Sequence, residues 1–85
     1  MAHEIHYSHA AARQLRKLSQ PVQDRIRRTA LILAETPRPP KSIKMAGTGN
    51  QWRVRTGDYR IVYEIHDDEL LVLVIKIGHR RSVYR

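Results

Sequence analysis

Two periods divide the chain. "HEIHY", residues 3–7, alternates around Ile5 and Tyr7, which predicts a short first strand. Ser8 then has the side chain of an N-cap. Ala11, Leu15 and Leu18 follow at helical spacing, so the pattern predicts a helix to about Leu18. Ser19 can cap a second helix, with Pro21 tolerated in its first turn. There Val22, Ile26, Ala30, Leu33 and Ala34 form an apolar stripe, and Arg25 and Arg28 fall on the opposite side. With almost no linker between them, the two helices are expected to pack as an antiparallel hairpin that Pro37 terminates.

Residues 36–51, "TPRPPKSIKMAGTGNQ", hold three prolines and two glycines and show no period. This reads as a loop, of a length that is usually functional or mobile. Beyond it the period becomes two. In "WRVRT", Trp52, Val54 and Thr56 alternate with Arg53 and Arg55. In "YRIVYEIH", Tyr59, Ile61, Tyr63 and Ile65 alternate with Arg60, Val62, Glu64 and His66. Gly57-Asp58 between them has the composition of a two-residue hairpin turn. "ELLVLVIKIG" is nearly continuous apolar, as for a strand covered on both faces, and Asp67-Asp68 is its expected turn.

The predicted fold is therefore α+β: a short N-terminal strand, a helical hairpin, then an antiparallel sheet of three further strands, in one domain spanning residues 1–85. A two-residue turn places Thr56 opposite Tyr59, Arg55 opposite Arg60 and Arg53 opposite Val62. Trp52, Val54, Ile61, Tyr63 and Ile65 then share the face that the helices cover. Arg53, Arg55 and Arg60 share the other. Like charges directly across a ladder oppose folding, so this patch asks for a reason beyond stability.

Composition narrows the classes. A chain of 85 residues buries about 60–65% of its unfolded surface, enough for roughly two packed layers but not for a deep cofactor pocket. No apolar run approaches the ~20 residues of a membrane span, and "MAHEIHYSHA" lacks the apolar core of a signal peptide. There is no cysteine, which excludes disulfides and thiolate chemistry and suits a cytoplasmic setting. The charge is the informative quantity: 16 Lys+Arg against 8 Asp+Glu, net +8. From Thr36 to Gly57 there are five bases and no acid, and from Leu70 to Arg85 four more and again no acid. That imbalance points to a polyanion or an acidic protein partner, the competing reading being a solubilising surface.

The last stretch, "KIGHRRSVYR", leaves a strand that neighbours Arg60, which brings Arg80, Arg81 and Tyr84 beside the patch. Arg53, Arg55, Arg60, Arg80 and Tyr84 form the candidate catalytic set. Guanidinium groups clamp phosphate oxygens and stabilise the extra charge of a phosphoryl transition state. Tyr84 can stack on a base or move a proton, and nearby cations favour its phenolate. Lys41, Lys44, His79 and Arg81 are candidate RNA-backbone contacts. No carboxylate pair or metal-ligand cluster accompanies them; His3, His6 and His9 share no face at that spacing. The metal-independent chemistry that fits is RNA cleavage by the substrate's own 2′-hydroxyl, with no cofactor.

"GDYRIVYEI" and "KIGHRRSVY", with the helical hairpin, the "PRPPKSIK" loop and the total length, resemble the RelE/ParE toxin superfamily of type II toxin–antitoxin systems across essentially the whole chain. Members resembling RelE cut mRNA in the ribosomal A site, and the resemblance implies a site on the open face of the sheet. It carries the family's basic strand positions onto Arg53 and Arg55, the arginine of "DYR" onto Arg60, the one after "GH" onto Arg80 and the terminal tyrosine onto Tyr84. RelE-like sequences often have lysine where this chain has Arg53 and Arg55. Arginine clamps phosphate but is no general base, which leaves proton abstraction to Tyr84 or His79. The family's longer forms also carry a C-terminal extension absent here. The implied partners are mRNA, the 30S A site and an acidic antitoxin, in a heterodimer or a higher assembly of such pairs. A ParE-like inhibitor of DNA gyrase without a nuclease site is the alternative, and a plain RNA-binding module or inactive antitoxin-binding relic is a third reading.

Overall fold

The computed structural model describes residues 2–47 and 49–79. Its elements in chain order are β1 (Glu4–Tyr7), α1 (His9–Arg16), α2 (Gln20–Glu35), β2 (Ile43–Lys44), β3 (Gln51–Thr56), β4 (Tyr59–His66), a 3₁₀ turn (Asp67–Glu69) and β5 (Leu71–His79). The strands form one sheet in the order β1-β5-β4-β3-β2. The α+β architecture agrees with expectation, but the sheet has five strands rather than four. The extra strand, β2, lies within the segment expected to be a loop. It is two residues long, too short to show a period, and exists because Ile43 and Lys44 pair with Arg53 and Trp52. β1 joins the sheet as well, and it runs parallel to β5.

Local chemistry accounts for the helix ends. Ser8 is extended, and its hydroxyl accepts from the Ala11 N–H at 3.0 Å, capping α1. The same hydroxyl donates to the Ile75 carbonyl at 3.1 Å and so ties the cap to β5. α1 ends at Arg16, two residues before the expected Leu18, as the Lys17 and Leu18 N–H groups tighten onto the Gln14 and Leu15 carbonyls. Ser19 holds the N-cap position of α2, and its carbonyl accepts the first intrahelical bond from the Gln23 N–H, but its side chain makes no capping bond.

The β3–β4 hairpin has the predicted register, Thr56↔Tyr59 through Gln51↔Glu64. Gly57 turns it with φ of +60°, and a Cβ at that position would meet the Arg25 guanidinium of α2. The β4–β5 ladder is interrupted between Val62 and Tyr63: Val62 pairs with Lys76 and Tyr63 with Val74, which leaves Ile75 as the extra residue of a bulge. α1 serves this irregularity, because the Gln14 side-chain carbonyl accepts from the Ile77 N–H at 2.7 Å. The bulge changes the parity of β5. Val72 and Val74 are buried before it and Ile77 after it, whereas Leu71, Leu73 and Ile75 are half-buried. β5 is thus an alternating strand with a phase shift, not one fully covered on both faces.

The core lies between helices and sheet. Ala11, Leu15, Ile26 and Leu33 pack there with Val54, Ile61, Tyr63, Ile65, Val72, Val74 and Ile77, and Val22, Trp52 and Tyr59 pack against its edge. Among the described residues no helix is long and apolar enough to cross a membrane.

Candidate nucleic-acid interface

The thread from sheet to site is side-chain parity. The Thr56 and Thr29 hydroxyls lie 3.1 Å apart, which identifies the Thr56 side of β3 as the side facing α2. Arg53 and Arg55 alternate with it and stand on the open face. Arg55 is directly across from Arg60, and Arg53 from Val62. On the other side of β4, Arg60 faces Gly78, which places no side chain beside it, and Val62 faces Lys76. Three arginines and Lys76 therefore share the open face. Lys76 was missed from the sequence, because simple alternation from Val72 and Val74 puts it inside; only the bulge turns it outward.

The third wall comes from the segment between α2 and β3. Arg53, Arg55 and Arg60 line a cleft of about 510 Å³ together with Pro40, Lys41 and Ile43. Among the described residues, four of the six that line it are cationic and none is acidic. Pro40 and Ile43 were not anticipated as site residues; the proline-rich composition marked the segment but could not say which face it reaches. The segment is anchored at several points. The buried Tyr63 hydroxyl donates to the Pro37 carbonyl at 2.7 Å, and the Ser42 hydroxyl donates to the Pro39 carbonyl at 2.7 Å. Arg38 donates to Asp67 Oδ2 at 2.8 Å, and its guanidinium lies 5.5 Å from the centre of the Trp52 ring. His3 Nε2 meets the other Asp67 oxygen at 3.1 Å.

Two of the groups at these anchors have shifted titrations. Hydrogen bonds from Arg38, and then from His3, hold the Asp67 carboxyl below its usual value. Burial pushes the Tyr63 phenol up, partly offset by the Ser42 hydroxyl and the Arg38 charge. The nearest acid along the open face of β4 is Glu64. It is engaged by His66 Nε2 at 2.9 Å and by the Gln51 amide at 3.3 Å.

The expected RNA contacts divide. Lys41 lines the cleft. Lys44 pairs with Trp52 and so belongs to the opposite side of the sheet. His79 pairs with Tyr59, on the same side as Thr56, and the two rings meet edge-on with centroids 5.7 Å apart. Register thus separates both residues from the arginine patch. Arg80, Arg81 and Tyr84 lie outside the described residues. Among the described residues no cluster of three or more His, Asp or Glu side chains could hold a metal ion.

A concave basic site with an apolar wall suits a phosphodiester that carries a flat, weakly polar group. Residues 5–84 match a family described as ParE toxin of type II toxin–antitoxin system, parDE. The mRNA interferase toxin RelE of Escherichia coli (strain K12) is 28% identical over 82 residues, covering 94% of this chain and 85% of that protein. A chain of the intact E. coli RelBE toxin–antitoxin complex superposes with a TM-score of 0.81 at 25% identity, over 92% of this chain and 96% of that one. A chain of the archaeal RelE–RelB complex from Pyrococcus horikoshii OT3 gives a TM-score of 0.83 at 25% identity, covering 96% of this chain and 99% of that one.

Proposed function

The chain belongs to the RelE/ParE toxin superfamily of type II toxin–antitoxin systems, and from that premise we propose that it is an mRNA interferase. In this reading it is a ribosome-dependent endoribonuclease that cuts mRNA in the A site and thereby stops translation. The observation that carries the proposal is the convergence of Arg53, Arg55, Arg60 and Lys41 on one cleft with no acid among the described residues that line it. Relatives named mRNA interferase support it.

The reaction needs little from the protein beyond electrostatics and proton transfer. The 2′-hydroxyl of the substrate attacks the adjacent phosphorus, the 5′-oxygen leaves, and a 2′,3′-cyclic phosphate results. Arg55 and Arg60, side by side across the β3–β4 ladder, hold the non-bridging oxygens as negative charge grows on them. Arg53 and Lys41 hold the flanking backbone. Tyr84, as its phenolate, takes the 2′-hydroxyl proton, water supplies a proton to the leaving 5′-oxygen, and Arg80 adds a further cation to the phosphorus centre. Because the nucleophile belongs to the substrate, no metal or other cofactor is required.

Charge also sets the partner. A net charge of +8 suits an acidic antitoxin segment that orders on binding and occupies the basic face. Related structures of toxins in complex with antitoxins support such a heterodimer, or a higher assembly of it. A ribosomal target places the protein in the cytoplasm.

The match to the ParE family model favours a second reading, a gyrase inhibitor with no nuclease site. Toeprinting on translated mRNA separates the two. Codon-linked cuts that vanish in Arg60→Ala and Tyr84→Ala support the nuclease. Intact mRNA together with blocked DNA supercoiling rejects it.

A further inference from the structure

We propose that Pro40 and Ile43 form a nucleobase seat, so that the cleft binds one whole nucleotide and not only its phosphate. The ligand class rests on the RNA-directed reading above; the seat does not depend on cleavage. Ile43 is the residue that calls for explanation. It stands directly beside Arg53 in the ladder, yet 51% of it is exposed, in a cleft otherwise lined mainly by cations. A site that held phosphate alone would gain nothing from an exposed β-branched apolar side chain. Pro40 stands with it on the cleft wall.

The wall is built to hold its shape. Pro37, Pro39 and Pro40 have fixed φ. The carbonyls of Pro37 and Pro39 are held by Tyr63 and Ser42, and Arg38 is tied to Asp67. A wall fixed before binding loses little entropy when a base packs on it. The cleft volume of about 510 Å³ lies within the ~300–1,000 Å³ of small-ligand sites. Every nucleobase presents a flat π-face, so a seat made of aliphatic carbon accepts bases by packing and size rather than by edge hydrogen bonds. An acidic peptide would satisfy the arginines equally well, but its charges lie on flexible stems and place no flat group at a fixed distance from an anion. A nucleotide does both.

The test is binding, measured off the ribosome at low salt by fluorescence anisotropy. The probes are a non-cleavable 2′-O-methyl trinucleotide and the same trinucleotide with its central base removed. Burial of the base against aliphatic carbon is expected to make the intact probe bind about tenfold more tightly than the abasic one. Ile43→Thr keeps the β-branch on an exposed two-residue strand, and Pro40→Ala tests the other half of the wall. Each is expected to shrink that difference severalfold while leaving abasic affinity unchanged; Ile43→Thr should also leave thermal stability unchanged, whereas Pro40→Ala should lower it slightly. Equal affinity for the two probes in the wild type overturns the seat, as does equal weakening of both probes in the variants. A loss of antitoxin binding alone overturns it in favour of a protein contact. If ribosomes show no cleavage while the base-dependent difference persists and depends on Ile43, the nuclease reading falls and the seat stands.

Discussion

Arg55 and Arg60 occupy directly opposed positions of the β3–β4 ladder, on the face away from the helices. Opposed like charges weaken a ladder by about 0.2–1 kcal/mol. Arg55→Gln is therefore expected to leave thermal stability unchanged or to raise it slightly. RNA affinity should fall, and the slope of log affinity against log salt should shrink by about one. Arg60→Gln should lower cleavage on ribosomes about a hundredfold or more. A stable, fully active Arg60→Gln protein would remove the arginine pair from the mechanism.

Ser8 serves two elements with one hydroxyl, capping α1 at Ala11 and holding the Ile75 carbonyl at the β5 bulge. Ser8→Ala should cost about 1–2 kcal/mol in denaturant unfolding. Hydrogen exchange should rise both in the first turn of α1 and around Ile75. A rise confined to α1 would mean that the bulge is held without Ser8.

Tyr63 is buried in the core and ends on the Pro37 carbonyl. Tyr63→Phe keeps the ring and removes the donor, so a loss of about 1–3 kcal/mol is expected. Burial raises the phenol pKa in the folded state. The neutral form is the one folding favours, so this contribution is complete below the usual value of 10.0 and disappears as pH rises through the folded value. Wild-type and Tyr63→Phe stabilities should converge at strongly alkaline pH.

Asp67 behaves with the opposite sign. Arg38 and His3 lower its folded pKa below the usual 3.8. Its contribution is present above 3.8 and is lost as pH falls through the lower folded value. Asp67→Asn should melt slightly below the wild type at neutral pH, and the gap should close in acid. The same variant frees Arg38 from its anchor, so mobility of residues 37–44 should rise on the wall of the cleft. An unchanged gap at all pH values would show that the carboxylate charge contributes nothing.

Much of this protein is written in its pattern. The helical stripe from Val22 to Ala34, the Gly57-Asp58 turn and the alternation of Arg53 and Arg55 with Val54 are local, and each follows from a few neighbouring residues. The turn then sets the hairpin register, so the shared face of Arg53, Arg55 and Arg60 was legible too. What local pattern does not hold is which distant segment pairs with which. The parallel docking of β1 on β5 and the two-residue strand β2 are agreements between remote stretches. The bulge at Ile75 is another, supported by Ser8 and Gln14 from elsewhere in the chain. Because strand period is two, that one inserted residue reversed the side chains after it. It set Lys76 on the open face, left Gly78 as the gap beside Arg60, and sent His79 to Tyr59. The sequence by itself determined that a basic face exists; tertiary pairing decided its outline and its apolar wall.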